Sequence, residues 1–315
     1  MGTLNRKLKV AVLAGGIGAE REISLQSGHC VAEALEKAGY DVVTFDIRPD
    51  KLDILEDNSI DVFFPALHGQ FGEDGQLQQI LEERTLLFTG SGSQASRNAF
   101  DKMTGKKLFA EAAVAVPAAI ELENQIEIGE LEEQLRYLAD KYVIKPIKQG
   151  SSVGVSIAST AREAIKTARE TLNQFGNCMI EEFVPGREVT VSILCGKTLP
   201  VIEIRIKSSF YSYHAKYEDE QTEFLFDTIT EPSIAARINQ AALDCFDAVG
   251  CRHFARVDFI LGEDNIPYAL EINTIPGFTT HSLLPKAASK AGLSMSNLCK
   301  KIVETAYSSL VEYQA

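Results

Sequence analysis

Residues 255–277 read ARVDFILGEDNIPYALEINTIPG, and this stretch decides the reading of the chain. Two strand-like runs, ARVDFIL and PYALEIN, flank the turn-rich GEDN, the pattern of a β-hairpin. Side chains two apart on a strand share a face, so Arg256 and Asp258 point one way, as do Glu271 and Asn273. Pairing of the two strands gathers two carboxylates, an amide and a guanidinium amid Phe, Ile, Val and Leu. Unpartnered carboxylates in such surroundings are costly. A hard cation resolves the conflict, because carboxylate and amide oxygens suit Mg²⁺. The alternative is the solvated face of a two-stranded ribbon, and spacing alone leaves both readings open. The Asn-Thr-Ile-Pro-Gly that follows at once tilts the balance toward a metal and phosphate site.

Outward from this hairpin, the chain of 315 residues has room for two or three domains. Its 45% apolar and 24% charged residues are those of an ordinary soluble protein. A net charge of −13 argues against nucleic acid held through phosphate contacts, and no apolar run approaches a membrane span. The start MGTLNRKLKVAVLAGG is better read as a first strand than as a signal peptide, since its apolar run is short. Six scattered cysteines without a CxxC pair indicate neither a disulfide framework nor zinc, and a reducing cytoplasmic setting is expected.

Residues 8–90 alternate strand and helix: LKVAVLA, a helix over 27–38 closed by Gly39, DVVTFDI, IDVFFPAL, the helix GQLQQILEE, and TLLFTG. This is a βαβ pattern with a mostly parallel sheet. Ligands of such sheets gather at the strands' carboxyl ends, here AGGIGAEREIS and ALHGQFGEDG. A small α+β unit follows, with helices at DKMTGKKLFAEAA and 131–139, strands YVIKP, VGVSIAS and CMIEEFV, and a helix begun by a Thr160/Glu163 capping box. Beyond Pro185, REVTVSILC, TLPVIEIRI, ARVDFIL and PYALEIN suggest a larger antiparallel sheet, with helices near 233–249, 282–291 and 296–304. Residues 208–228 are polar and aromatic without a clear period; a stretch of that length is usually functional.

Gly15, Gly16 and Gly18 invite a dinucleotide reading, but Arg21 stands where the third glycine belongs. CGKT at 195–198 lacks the first glycine of a P-loop, with Val191 in its place, and reads as a hairpin turn. QGSSVG at 149–154 is the better phosphate candidate, since its backbone N–H groups form an anion nest, with Lys145 just before it. A flexible hairpin with a snorkelling lysine is the plain alternative. Glu20 and His68 stand at strand carboxyl ends, where ligands collect. By default they would be a solvated charge and a satisfied half-buried histidine.

These pieces, in this order, resemble the D-alanine–D-alanine ligases of the ATP-grasp superfamily. The matching segments are GGIGAEREISLQSG, ALHGQFGEDGQLQ, FTGSG, DK at 101, VIKP, QGSSVGVS, FYSYHAKY, ARVDF and LEINTIPGFTTHSLLP, from about residue 8 to residue 305. HSLLP and AKY are the most specific of them. The resemblance implies an N-terminal parallel α/β domain (1–91) that binds substrate, a small central ATP-grasp subdomain (92–184) and a larger C-terminal catalytic domain with an antiparallel sheet (185–315). It implies ATP-dependent joining of two D-alanines through D-alanyl phosphate, for peptidoglycan precursor synthesis, in a cytoplasmic homodimer. Asp258, Glu271 and Asn273 would hold two Mg²⁺ ions, with Mn²⁺ as a substitute. Lys102, Lys145 and the QGSS loop would neutralise phosphates, and Glu181, Glu182, Val184 and Glu188 fall where adenine and ribose bind.

On the same resemblance, Glu20 would hold the first substrate's ammonium, with His68 nearby. Arg256 and the Gly277 N–H would form the oxyanion hole. Ser282, the Leu283 N–H and Lys216 would take the second carboxylate. Tyr217, Ser151 and Glu20 would form a hydrogen-bonded triad tying residues 208–228 over the cleft. Ile17 or Gly18 replaces a hydroxyl residue common in the family, His214 an acidic one, and Glu182 the more usual lysine. A D-alanine–D-lactate or D-alanine–D-serine ligase is the rival enzyme, and Tyr217 favours D-alanine. A nucleotide-binding protein with a degenerate site is the rival of another class; the filled metal, lysine and arginine positions argue against it.

Overall fold

The computed structural model describes residues 7–18, 20–122, 128–206 and 222–313. Three sheets organise them. The first is parallel: β1 (Lys9–Gly15) lies between β2 (Asp41–Ile47) and β3 (Val62–Pro65). β1 is buried along nearly its whole length, as its unbroken apolar run requires of a central parallel strand. The TLLFTG segment adds only a bridge, Phe63 to Phe88, rather than a full fourth strand.

Helix α1 (Arg21–Lys37) begins six residues before the expected start at Ser27. Its cap, Glu20, makes no side-chain capping bond, so the start carries no Ser/Thr/Asp signal, and Ser27 is instead a buried residue inside the helix. α2 (Gln76–Glu83) follows β3. A helix not expected from the sequence, α3 (Ser93–Phe100), leads straight into α4 (Lys102–Glu111). Ala95, Ala99 and Phe109 of these helices bury in the core of the third sheet, with Val257, Phe259 and Ile238.

The second sheet is antiparallel, in the order β4 (Ala119–Glu121), β7 (Met179–Glu182), β5 (Tyr142–Lys145), β6 (Ser156–Ala158). Helices α5 (Ile128–Leu138) and α6 (Ala161–Phe175) pack its core through Leu131, Leu135, Ala164 and Ala168. The cap of α6 is as expected: Thr160 accepts the Glu163 N–H, and Gly176 ends the helix at φ 75°. The Glu163 carboxylate reaches back one residue further, to the Ser159 N–H.

The third sheet runs β11 (Thr222–Leu225), β10 (Ile202–Ile206), β8 (Gly186–Leu194), β12 (Phe254–Gly262), β13 (Pro267–Asn273), with β9 (Lys197–Thr198) also on β8. CGKT is thus a hairpin turn, and part of the aperiodic 208–228 segment is strand. Helix α7 (Pro232–Val249) covers one face, and α8 (Leu283–Lys290) and α9 (Met295–Tyr313) close the chain. The architecture is α/β, with one parallel and two antiparallel sheets, as expected from the sequence.

The first and third sheets share a core. Phe64 of β3, Phe254 of β12 and Phe278 form a cluster, with Phe278 edge-on to the other two rings at 5.4 and 5.5 Å between centroids. Edge-to-face contact is the favoured aromatic geometry. It seats the loop after β3 against the loop after β13, and both loops carry predicted site residues.

Candidate active site

The hairpin forms in the register that the two-residue alternation requires. Arg256 pairs with Asn273 and Asp258 with Glu271, and a bulge follows between Asp258 and Phe259. The face is not a solvated ribbon, since Arg256 is 8% and Asp258 6% exposed. Arg256 grips Asp258 with two bonds, Nε to Oδ1 at 2.8 Å and a terminal nitrogen to Oδ2 at 2.7 Å. Thr190 of β8 donates its hydroxyl to Oδ1 as well. Lys102, at the start of α4, stands 3.1 Å from Glu271 Oε2 and donates to the Gln149 carbonyl at 2.6 Å. Asn273 Oδ1 accepts the Ile275 N–H. The two carboxylates thus already draw cations, and the amide adds a third hard oxygen, a donor set that fits Mg²⁺ or Mn²⁺.

Two cavities meet at this hairpin, sharing Lys102, Gln149 and Glu271 in their walls. The first lies against the parallel sheet and is lined by Glu20, His68, Ser151, Arg256, Gly277 and Ser282, with Leu283 beside them. Ser151, at φ 52°, donates to Glu20 Oε1 at 2.5 Å, so these two members of the expected triad do meet. Gly69 permits this, because a Cβ there would lie 2.4 Å from the other Glu20 oxygen. At Gly277 a Cβ would come within 2.5 Å of Ser282 Oγ, so the backbone is open to close approach only as glycine. Ser282 Oγ accepts the Thr279 N–H and ties that turn to the start of α8.

His68 lines this cavity, but both ring nitrogens are engaged. Nδ1 is 3.1 Å from the Ile275 carbonyl and Nε2 is 2.9 Å from Ser27 Oγ. A carbonyl only accepts, which assigns the ring proton to Nδ1 and makes Nε2 the acceptor. Ser27 Oγ in turn receives the Phe278 N–H. Burial pulls the His68 pKa down to about 4, so the ring is neutral. What it visibly does is hold residues 275–278, and Gly277 with them, rather than offer a nitrogen to a ligand.

The second cavity, about 550 Å³, lies between the second and third sheets. That is within the range of about 300–1,000 Å³ usual for small-molecule sites. Val143, Ile157, Ile260 and Leu270 form its apolar walls, and Lys145, Glu181, Glu182, Val184 and Glu188 all line it. Ser152 and Gly154 of the QGSSVG loop have φ of 58° and 73°, and Ser152 borders the cavity. Two of the carboxylates expected near adenine and ribose are committed inside the protein. Glu182 Oε1 accepts the Ala118 N–H at 2.8 Å. Glu181, 2% exposed, lies between Lys145 and Lys106, 2.7 and 2.5 Å away. Burial alone would raise its pKa, and the two ammonium groups overcome that and lower it.

Lys216 and Tyr217, with His214 and most of the lid expected over 208–228, lie outside the described residues. Glu73, Ser27, Thr190 and Lys106 also take part and were not among the residues that the sequence marked. Glu73 borders the first cavity beside Glu20 and accepts the Gly69 N–H at 2.6 Å. Burial, then the charge of Glu20, pushes its carboxyl well above the usual range. Its signal was present in HGQFGEDG, a charge in the loop at the carboxyl end of β3. Arg21, at the third-glycine position, clamps Asp46 with two bonds, which explains its place without a dinucleotide.

The fold is that of an ATP-grasp enzyme. Residues 108–304 match the family model "D-ala D-ala ligase C-terminus" and residues 52–91 match "D-ala D-ala ligase N-terminus". The D-alanine–D-alanine ligase of Methylacidiphilum infernorum is 38% identical over 95% of this chain and 95% of its own. That of Thermotoga maritima is 39% identical over 95% and 98%. The solved D-alanine–D-alanine ligase of Bacillus anthracis, complexed with ATP, superposes with a TM-score of 0.86 at 34% identity, covering 98% of this chain and 100% of that one. The VanG D-Ala:D-Ser ligase of Enterococcus faecalis gives 0.84 at 27%, over 96% and 100%. The chain belongs to the D-alanine–D-alanine ligase family.

Proposed function

We propose that this protein joins two D-alanines into D-alanyl-D-alanine at the expense of ATP, through D-alanyl phosphate. The observation that carries the reading is the pair of cavities sharing Lys102, Gln149 and Glu271. A phosphoryl group can pass from one to the other only at such a seam. ATP occupies the larger cavity, with its phosphates toward Lys102, Lys145 and the backbone of the 149–154 loop. Positioning and charge neutralisation are the main catalytic terms in phosphoryl transfer. Glu181 and Glu182 act on the nucleotide through Lys145 and the backbone, while Val184 and Glu188 line the adenosine end.

In the smaller cavity Glu20 holds the ammonium of the first D-alanine, and the D-alanine's carboxylate oxygen attacks the γ-phosphorus as ADP leaves. The amine of the second D-alanine, having lost a proton, then attacks the acyl carbonyl, and phosphate departs. Arg256 and the Gly277 N–H, the latter fixed by His68 and Ser27, meet the developing oxyanion. Ser282, the Leu283 N–H at the start of α8, and Lys216 take the second carboxylate. Tyr217 completes the Glu20–Ser151 pair and closes the lid. Asp258, Glu271 and Asn273 are the residues to hold Mg²⁺ or Mn²⁺, which when bound offsets phosphate charge.

The units 1–91, 92–184 and 185–315 then serve substrate, nucleotide and catalysis, with α3 and α4 as the strut between the last two. The family reading carries with it a cytoplasmic homodimer supplying peptidoglycan synthesis. The net charge of −13 accords with a small-molecule enzyme rather than a nucleic-acid binder. Among the described residues no helix is long and apolar enough to cross a membrane. The test is phosphate release with ATP, Mg²⁺ and D-alanine against L-alanine, D-lactate and D-serine, with products identified by mass spectrometry. Dipeptide from D-alanine alone is expected. Equal turnover with L-alanine, or phosphate without dipeptide, contradicts the reading, and a preference for D-lactate or D-serine moves the chain to the rival ligases.

A further inference from the structure

Lys106 is the residue that the proposed reaction leaves without a task. It sits on α4, is 5% exposed, and borders neither cavity. Its ammonium donates to the Pro117 carbonyl at 2.7 Å and forms an ion pair with Glu181 Oε1 at 2.5 Å. No hydrogen bond of good alignment reaches that oxygen among the described residues, so the pair with Lys106 is what neutralises it. Lys145 binds the other oxygen, Oε2, from the side that opens on the nucleotide cavity. One buried carboxylate therefore faces two lysines, one in the cavity wall and one behind it. Burial pulls the Lys106 pKa down to about 8, and Glu181 opposes that pull, so the rear ammonium is held charged by the carboxylate it serves.

The arrangement matters because a buried carboxylate stripped of its only cation is strongly unfavourable. With Lys145 as sole partner, Glu181 would keep that lysine, and turning it toward a phosphate would strand the charge. With Lys106 behind, Glu181 keeps a partner when Lys145 turns away. The Pro117 carbonyl anchors Lys106, so it has no need to follow.

We propose that Lys106 is a positioning residue for nucleotide binding: by holding Glu181 from behind, it leaves Lys145 exchangeable between that carboxylate and the phosphates of a nucleotide. This rests on the reading of the larger cavity as the ATP site, so the test measures ATP binding directly, by calorimetry without amino acid, beside steady-state kinetics. In Lys106→Met the ATP Kd is expected to weaken about tenfold or more, as for breaking a buried ion pair, while the KM for D-alanine stays near wild type. Lys106→Arg keeps the charge and is expected to restore most of the affinity. In Lys106→Met/Glu181→Gln the buried charge is gone, Lys145 is released, and ATP affinity is expected to recover above that of Lys106→Met. Should Lys106→Met fail to fold, as circular dichroism would show, the double variant decides alone. Its tight ATP binding supports the proposal, and its failure to bind ATP overturns it. Unchanged ATP affinity in a folded Lys106→Met, or equal loss in the two KM values, also overturns it and leaves the function standing. Wild-type protein that binds no ATP removes the function reading itself.

Discussion

The cavity between the second and third sheets holds its ions already paired, whereas the cavity against the first sheet gathers carboxylates. In the larger one Lys145 rests on Glu181, and at its rim Arg187 and Arg205 flank the buried Glu203. In the smaller one Glu20, Glu73 and Glu271 gather, Glu271 with Lys102 as its partner, and burial, then the charge of Glu20, pushes the Glu73 carboxyl up. The first pattern suits an anionic ligand that takes over a lysine from an internal carboxylate. The second suits a ligand that arrives with a positive charge. A phosphate donor on one side and an amino acid on the other are what this contrast would serve, and the seam between them is where substitutions should hurt most.

The largest effect is expected at that seam. Glu271→Gln keeps the shape and removes one charge from a residue bordering both cavities, beside Lys102. Turnover at saturating Mg²⁺ should fall about 10²-fold or more, the scale of losing a catalytic charge contact, with the folded state unchanged by circular dichroism. Near-wild-type kcat would erase the special standing of the seam.

A smaller effect sharpens the contrast on the amino-acid side. Glu73→Gln should raise the KM for the first D-alanine about tenfold, the usual scale for unpairing a buried polar contact, with little change in ATP affinity. An arriving ammonium opposes the upward shift of the Glu73 carboxyl, so D-alanine binding should be coupled to proton release. Calorimetry in phosphate and in Tris should then give different heats for wild type and equal heats for Glu73→Gln. Equal heats for wild type would show that the carboxylates do not share a proton.

How much of this was legible in the sequence follows the physics of each signal. The hairpin was, because a two-residue alternation of Arg256, Asp258, Glu271 and Asn273 inside apolar strands fixes both face and partner. The QGSSVG turn was, because glycine and serine at positive φ leave a compositional trace. Lys106 was not: a lysine in a helix reads as solvated, and only the fold brings Glu181 from a strand 75 positions later. The start of α1 was hidden for a different reason, since Glu20 caps it without a side-chain bond and is committed to Ser151 instead. α3 is eight residues long with no strong apolar stripe, and only its packing against the third sheet makes it a helix. Ser27, read as the first residue of the helix, is a buried link between His68 and Phe278.

The smallest effect concerns what joins the two regions. His68 accepts from Ser27, and His253 Nδ1 accepts the Gly90 N–H between the first and third sheets. Burial lowers both pKa values to about 4 from 6.5. Between those values the unfolded chain binds more protons than the folded one, so stability falls as pH drops from 6.5 toward 4 and is indifferent to these rings above that range. Tm should decline over that interval. His253→Asn, which keeps an acceptor and tolerates the φ of 65°, should flatten the decline by about 2 °C or more. An equally steep decline in that variant would place the acid sensitivity elsewhere.

One phosphoryl transfer across the seam is the central step, and isotope tracing follows it directly. D-Alanine labelled with ¹⁸O in its carboxylate is incubated with ATP, Mg²⁺ and the protein, and the phosphate released is analysed by mass spectrometry. If the carboxylate oxygen attacks the γ-phosphorus and leaves with it, each phosphate formed alongside a dipeptide carries one ¹⁸O. Unlabelled phosphate would mean that water or another oxygen took the phosphoryl group, and that the two cavities do not serve a shared acyl phosphate.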